Sequence, residues 1–100
     1  MFSRVNFLET EPGRMSDVAR VVSEVVHPGI SGEAGYMGYI VLGNPLTGKA
    51  LGVTLWESEE ARTASDVKAH TIRPRVEQET GGKMLSVENY EVLFFDLRRE

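Results

Sequence analysis

The apolar positions of this chain switch between two periods. Phe2 to Glu9 is rich in strand formers and runs into Glu11-Pro12-Gly13, a turn signal, which predicts a first strand. From Arg14 the spacing lengthens. Met15, Val18, Val21, Val22, Val25 and Val26 recur at i, i+3 and i+4, the single apolar stripe of a helix. Ser16 or Thr10 is a capping candidate, and Asp17 suits the positive end of the helix dipole. Valine is a mediocre helix former, so packing must drive this helix, and His27-Pro28-Gly29 is expected to stop it. Tyr36–Leu42 and Lys49–Trp56 then read as two strands of a hairpin, joined through the turn formers Gly43-Asn44-Pro45-Leu46-Thr47-Gly48. Ser58 followed by Glu59 and Glu60 has the form of an N-cap with an acidic first turn. A second helix is predicted from about Glu59 to Thr80, kinked or broken before Pro74 and ended by Gly81-Gly82. Met84 to Leu97 reads as a long last strand.

The order strand, helix, two strands, helix, strand predicts a ferredoxin-like α+β sandwich. It is a βαββαβ unit with a four-stranded antiparallel sheet, and residues 1–100 form one domain. The end of the last strand adds a further expectation. Val92 and Phe94 point one way while Leu93, Phe95 and Leu97 point the other, so both faces ask for cover. Two helices cover one face. The other calls for a partner, and a second copy of the chain is the simplest one.

Composition narrows the function classes. The 11 Lys and Arg against 15 Asp and Glu leave a net charge of −4, the wrong sign for a dedicated binder of nucleic acid or of an anionic membrane. Hydrophobic residues make up 41% of the chain, enough for a folded core. There is no cysteine, hence no disulfide framework, no thiolate metal site and no Cys nucleophile. No apolar run is long enough to span a bilayer. The opening MFSRVNFLETEPG lacks a long apolar core, so no signal peptide is read and the cytoplasm is the expected compartment.

Three stretches carry a family resemblance. They are Pro28-Gly29 followed by Gly35-Tyr36-Met37-Gly38-Tyr39; then Asn44-Pro45-Leu46-Thr47-Gly48; then Leu55-Trp56-Glu57-Ser58-Glu59-Glu60-Ala61. In order and length the chain resembles the antibiotic-biosynthesis-monooxygenase-like domains of the dimeric α/β-barrel superfamily. The resemblance implies a homodimer whose sheets face each other, with a pocket in each subunit between helices and sheet. It also implies a range of activities, from cofactor-independent oxidation of aromatic metabolites to haem degradation, besides members of no known role.

Cofactor-free oxygenation needs an electron-rich aromatic substrate, a base, and hydrogen-bond donors beside a dry pocket. The candidates here are His70, Asn6 and Trp56 for catalysis and Arg73, Tyr36, Tyr39 and Tyr90 for substrate binding. His70 has an unperturbed pKa suited to neutral pH. Asn6 is an amide inside a predicted strand, where amides are disfavoured, and the haem-degrading branch carries an Asn at a similar place. Trp56 is the only tryptophan, and packing under the second helix at its strand end explains it more readily than a catalytic role. Lys68, His70, Arg73 and Arg75 make a local basic stretch, either a solvated face paired with Glu77 and Glu79 or an anchor for a carboxylate or phenolate. His27 is explained by the dipole at the end of the first helix. Glu57, Glu59 and Glu60 lack a His partner at ligand spacing, so no metal site is read. Gly29, Gly32, Gly35 and Gly38 precede a strand and do not form a nucleotide fingerprint.

Two function classes follow. One is a cofactor-independent monooxygenase acting on a small phenol, anthrone or hydroquinone, with no cofactor. The other is a non-catalytic dimeric domain that binds a small molecule. Haem degradation ranks below both. The resemblance implies a tryptophan within the second helix for that chemistry, and Ser65 stands at about that place, with His70 several residues early.

Overall fold

The computed structural model describes residues 1–99. Strand β1 (Phe2–Glu9) leads through a 3₁₀ turn (Pro12–Arg14) into α1 (Met15–Val21), a π turn (Val22–Val26) and α2 (His27–Ile30). Strands β2 (Tyr36–Asn44) and β3 (Lys49–Trp56) form the hairpin; α3 (Glu59–Ala64) and α4 (Asp66–Thr80) follow, and β4 (Lys83–Glu91) completes the sheet. All pairings are antiparallel, in the spatial order β2-β3-β1-β4. This is the ferredoxin-like α+β arrangement the sequence predicts. The helices lie on one face, where Leu8, Ala50, Val18, Val21, Val25 and Val76 form the core.

Local chemistry accounts for most boundaries. Ser58 caps α3 by accepting a hydrogen bond from Ala61 N, and Gly81 ends α4 in the left-handed conformation at φ 70°. The hairpin loop closes on Gly48, at φ +80°. A Cβ there would sit 1.9 Å from Thr10 O, and Thr10 N donates to Gly48 O. Glycine thus lets the loop latch onto the end of β1.

Four expectations need correction. The first helical run is not stopped by His27-Pro28-Gly29 but continues to Ile30, which is buried. The π turn explains the tolerance. His27 N reaches back to Val22 O, and the widened turn before Pro28 relieves the clash its ring makes with a regular preceding turn. Neither Ser16 nor Thr10 caps α1; Thr10 Oγ1 instead donates to Thr80 O. The break in the second helical segment falls at Ser65, not before Pro74, which sits inside an unbroken α4. The last strand ends at Glu91 rather than Leu97. Among the described residues it neighbours β1 alone, pairing runs out where Phe2 faces Glu91, and Val92 N makes the final rung to Met1 O. Leu93, Phe94, Phe95 and Leu97 therefore leave the sheet and stand exposed.

Candidate functional site

Strand period puts alternate residues of β1 on the covered face. Register carries each across the sheet. Leu8 lies between Ala50 and Met84, Asn6 between Gly52 and Val87, and Arg4 between Thr54 and Asn89. The face thus grades from an apolar row to a polar one. Between it and the helices lies a cavity of about 70 Å³. Its walls are apolar: Val22 and Val26 from the two ends of the π turn, Ile72 and Val76 from α4, Leu8 and Val41 from the sheet. Its polar end is made by Arg4, Asn6, Arg73, Tyr39 and Thr54.

Arg73 reaches down from α4 and donates from Nε to Asn6 Oδ1 at 3.2 Å. Burial, and then the Arg4 cation, lower its pKa, while Asp66 opposes them. The Tyr39 ring lies over Gly52, whose missing side chain leaves it room; a Cβ there would meet Tyr39 Oη at 3.3 Å. Burial, with a smaller contribution from Tyr36, pushes the Tyr39 phenol up to about 12. At neutral pH it is a hydrogen-bond donor and not a base.

Arg4 is the residue that sequence reasoning missed. Only 1% of its side chain is exposed. Its Nη2 donates to Arg62 O and Ser65 Oγ, both at 2.7 Å, and pairs with Asp66. The helix breaks at Ser65, and Arg4 takes up the Arg62 carbonyl there, helped by Ser65 Oγ, which donates to the same oxygen. The guanidinium also lies 5.7 Å from the Trp56 ring centroid. The sequence held one signal: Arg4 and Asn6 share strand parity with Leu8, the core-facing set.

The other candidates are dispersed. Trp56 is fully buried, donates from Nε1 to Thr54 Oγ1 at 2.9 Å, and takes the Tyr36 ring edge-on at 5.7 Å. Neither Trp56 nor Tyr36 lines the cavity. His70 is exposed in an open groove between α4 and β4, beside Asp66, Val87 and Asn89. Arg73 lines both the groove and the cavity and so joins them. Tyr90 is exposed and donates to Glu88; it faces Ser3 in register, on the side of the sheet away from the helices. Of the seven candidates, Asn6, Arg73 and Tyr39 converge on the cavity. In the basic stretch, Arg75 pairs with Glu79 at 2.6 Å, a solvated contact.

The fold and this cavity define a ferredoxin-like domain with an apolar, polar-ended chamber under its helices. The sequence pattern of the antibiotic biosynthesis monooxygenase family matches residues 1–71, and the chain belongs to that family. Solved structures share its fold. A monooxygenase from the ActVA-Orf6 gene of Streptomyces coelicolor, in complex with nanaomycin D, aligns with TM-score 0.72 and 15% identity over 98% of this chain and 92% of that one. A protein of unknown function from Nitrosomonas europaea aligns with TM-score 0.70 and 18% identity over 99% and 95%. A mutant of MhuD with two manganese protoporphyrin IX bound per active site aligns with TM-score 0.67 and 20% identity over 98% and 100%. No curated protein sequence matches the chain. Among the described residues no helix is long and apolar enough to cross a membrane.

Proposed function

We propose that this chain is a cofactor-independent monooxygenase that oxidises a small aromatic metabolite of the phenol, anthrone or hydroquinone type. The observation that carries this reading is the convergence of Asn6, Tyr39 and Arg73 on one end of an otherwise apolar cavity. An apolar chamber holds an aromatic ring and excludes water. Donors at its end stabilise the oxygen anion that forms as the substrate loses a proton. The electrons then come from the substrate. Oxidation of an anthrone methylene to a carbonyl consumes one O₂ and releases one water: one oxygen atom enters the product and the two hydrogens leave with the other. In this scheme Asn6 and Tyr39 donate to the oxyanion, Arg73 anchors it, and His70 takes the proton out through the groove that Arg73 bounds. Trp56 acts at one remove, by holding Arg4 and Thr54.

The family also supports a homodimer. In register across the face away from the helices, Ile40, Val53 and Val5 form one row and Leu42, Leu51 and Phe7 the next. Ile40 and Leu42 are each 52% exposed, and at the opposite edge of the sheet the apolar segment after Glu91 also stands exposed. A second copy supplies cover, because a two-fold dimer buries the same apolar patch of both subunits at once.

One observation favours the non-catalytic reading. The cavity, at about 70 Å³, is smaller than the ~150 Å³ that admits benzene in an engineered core, so a substrate must part the walls. Oxygen uptake with a panel of anthrones and hydroquinones, using dialysed and chelated protein, decides between them. Uptake above the substrate's own autoxidation, with one O₂ per carbonyl formed, is the expected result. No such uptake across the panel leaves a small-molecule-binding domain. A sharp one-to-one hemin titration, lost in His70→Ala, would instead promote haem degradation; weak, non-stoichiometric change is expected.

A further inference from the structure

The polar end of the cavity carries more positive charge than the protein neutralises. Two guanidiniums, Arg4 and Arg73, line it, and one carboxylate, Asp66, pairs with Arg4. Asp66 is 54% exposed, so much of its charge is spent on solvent. Arg73 has only the neutral amide oxygen of Asn6. Arg4 Nε is buried without a hydrogen-bond partner, the one such buried side-chain polar atom among the described residues. A buried donor left unpaired costs free energy that a ligand acceptor can recover. The rest of Arg4 is tied down on several sides, by Arg62 O, Ser65 Oγ and Asp66 with the Trp56 ring alongside, so its charge cannot swing away.

We infer that Arg4 and Arg73 form an oxyanion subsite, and that the natural ligand is a small apolar ring bearing an ionised oxygen, which enters as the anion. This rests on the cavity being the substrate site, and it makes Arg4 a specificity-determining residue. A neutral ring of the same shape leaves Arg4 Nε unpaired and Arg73 without a counter-charge, so it is rejected. Charge selection here also lightens the work asked of a base. A substrate that enters with its oxygen ionised leaves only a carbon-bound proton for His70, which lies in the adjoining groove and not in the cavity.

The test is a binding series of single-ring compounds, the smallest aromatics for which the walls must part, read by calorimetry at mildly alkaline pH. Benzoate and ionised 4-nitrophenol are the anions; benzamide and toluene are the neutral controls. The expected result is that wild type binds at least one anion ten times more tightly than benzamide or more. Which anion binds better separates a carboxylate ligand from a phenolate-like one. Arg73→Gln, at a half-buried position, and Arg4→Lys, which keeps the charge but loses Nε, should each bring that ratio down several-fold. Equal binding of anions and neutrals by wild type overturns the inference, as does a ratio that survives both substitutions. If Arg4→Lys does not fold, the wild-type ratio and Arg73→Gln still decide. Oxygen uptake without anion preference would keep the proposed activity and remove this subsite. Anion preference without uptake on any substrate would do the reverse.

Discussion

The two faces of the sheet part company where the middle of β1 crosses them. On the face the helices cover, β1 presents Arg4 and Asn6; on the face they leave open, it presents Val5 and Phe7. At these four positions the order is the reverse of the usual apolar inward and polar outward, although Leu8 on the same strand joins the core and Val5 is itself buried. Each anomaly has its own reading. A charged and an amide side chain are kept inside only when something there uses them, and here they end a cavity. Apolar rows are left outside only when another surface will meet them. On the proposed reading one strand thus serves both the ligand and the partner, from neighbouring residues.

The comparison breaks first at the open face. Ile40→Asp places a carboxylate in the row with Val53 and Val5, where a second copy would bury it unpaired. Sedimentation equilibrium at micromolar concentration should give about twice 11.1 kDa for the native chain and a single 11.1 kDa species for this variant. A folded native monomer under those conditions removes the dimer.

Neighbouring residues sharpen it next. Arg4→Met strips the Arg62 carbonyl and Ser65 of their buried donor and should cost about 2 kcal/mol in urea unfolding. Ser3→Ala, one residue away on the opposite face, loses only a bond to Tyr90 O and should cost ~1 kcal/mol or less. Equal costs would mean that Arg4 is not what secures the helix break.

Catalysis supplies a smaller test. His70→Ala should lower kcat at least about tenfold while leaving the melting temperature in place, since general-base help is worth roughly 10²–10⁴-fold and the side chain is exposed. Unchanged turnover would discard His70 as the base without touching the oxygenase. The smallest effect lies at high pH. The Tyr39 phenol is raised on folding, so its contribution is fully present below the unfolded value near 10 and is lost as pH rises towards about 12. Unfolding curves collected across that window should fall less steeply for Tyr39→Phe.

Much of this was legible before the structure. The bounds of β1 and β3, the Ser58 cap and the Gly81 stop all rest on short-range chemistry: strand period, an oxygen beside a free N–H, a glycine free to take positive φ. Asn6 stood out because an amide is unusual within a strand. What was not legible depends on partners distant in sequence. The helix breaks at Ser65 rather than before Pro74, where Arg4, 61 residues away, waits to take the freed carbonyl. The last strand reads as long because Val92 to Leu97 keep strand-forming residues, yet a strand needs a neighbour and β1 gives out at Phe2. His70 matches a base by type alone, and only packing shows that it faces the groove.

The strand order has a consequence for how the molecule is made. β1 emerges first yet lies in the interior of the sheet, flanked by β3 and β4. Its hydrogen bonds cannot form until both later strands exist, whereas the β2–β3 hairpin and the helices are local structures that can form early. The polar end of the cavity, built on Arg4 and Asn6, is therefore among the last parts to assemble. Until then β1 is an unpaired strand carrying Val5, Phe7 and Leu8, the segment most open to pairing with the wrong chain. Slow refolding and concentration-dependent loss of yield at that stage are the expected signature of placing the site-bearing strand at the centre.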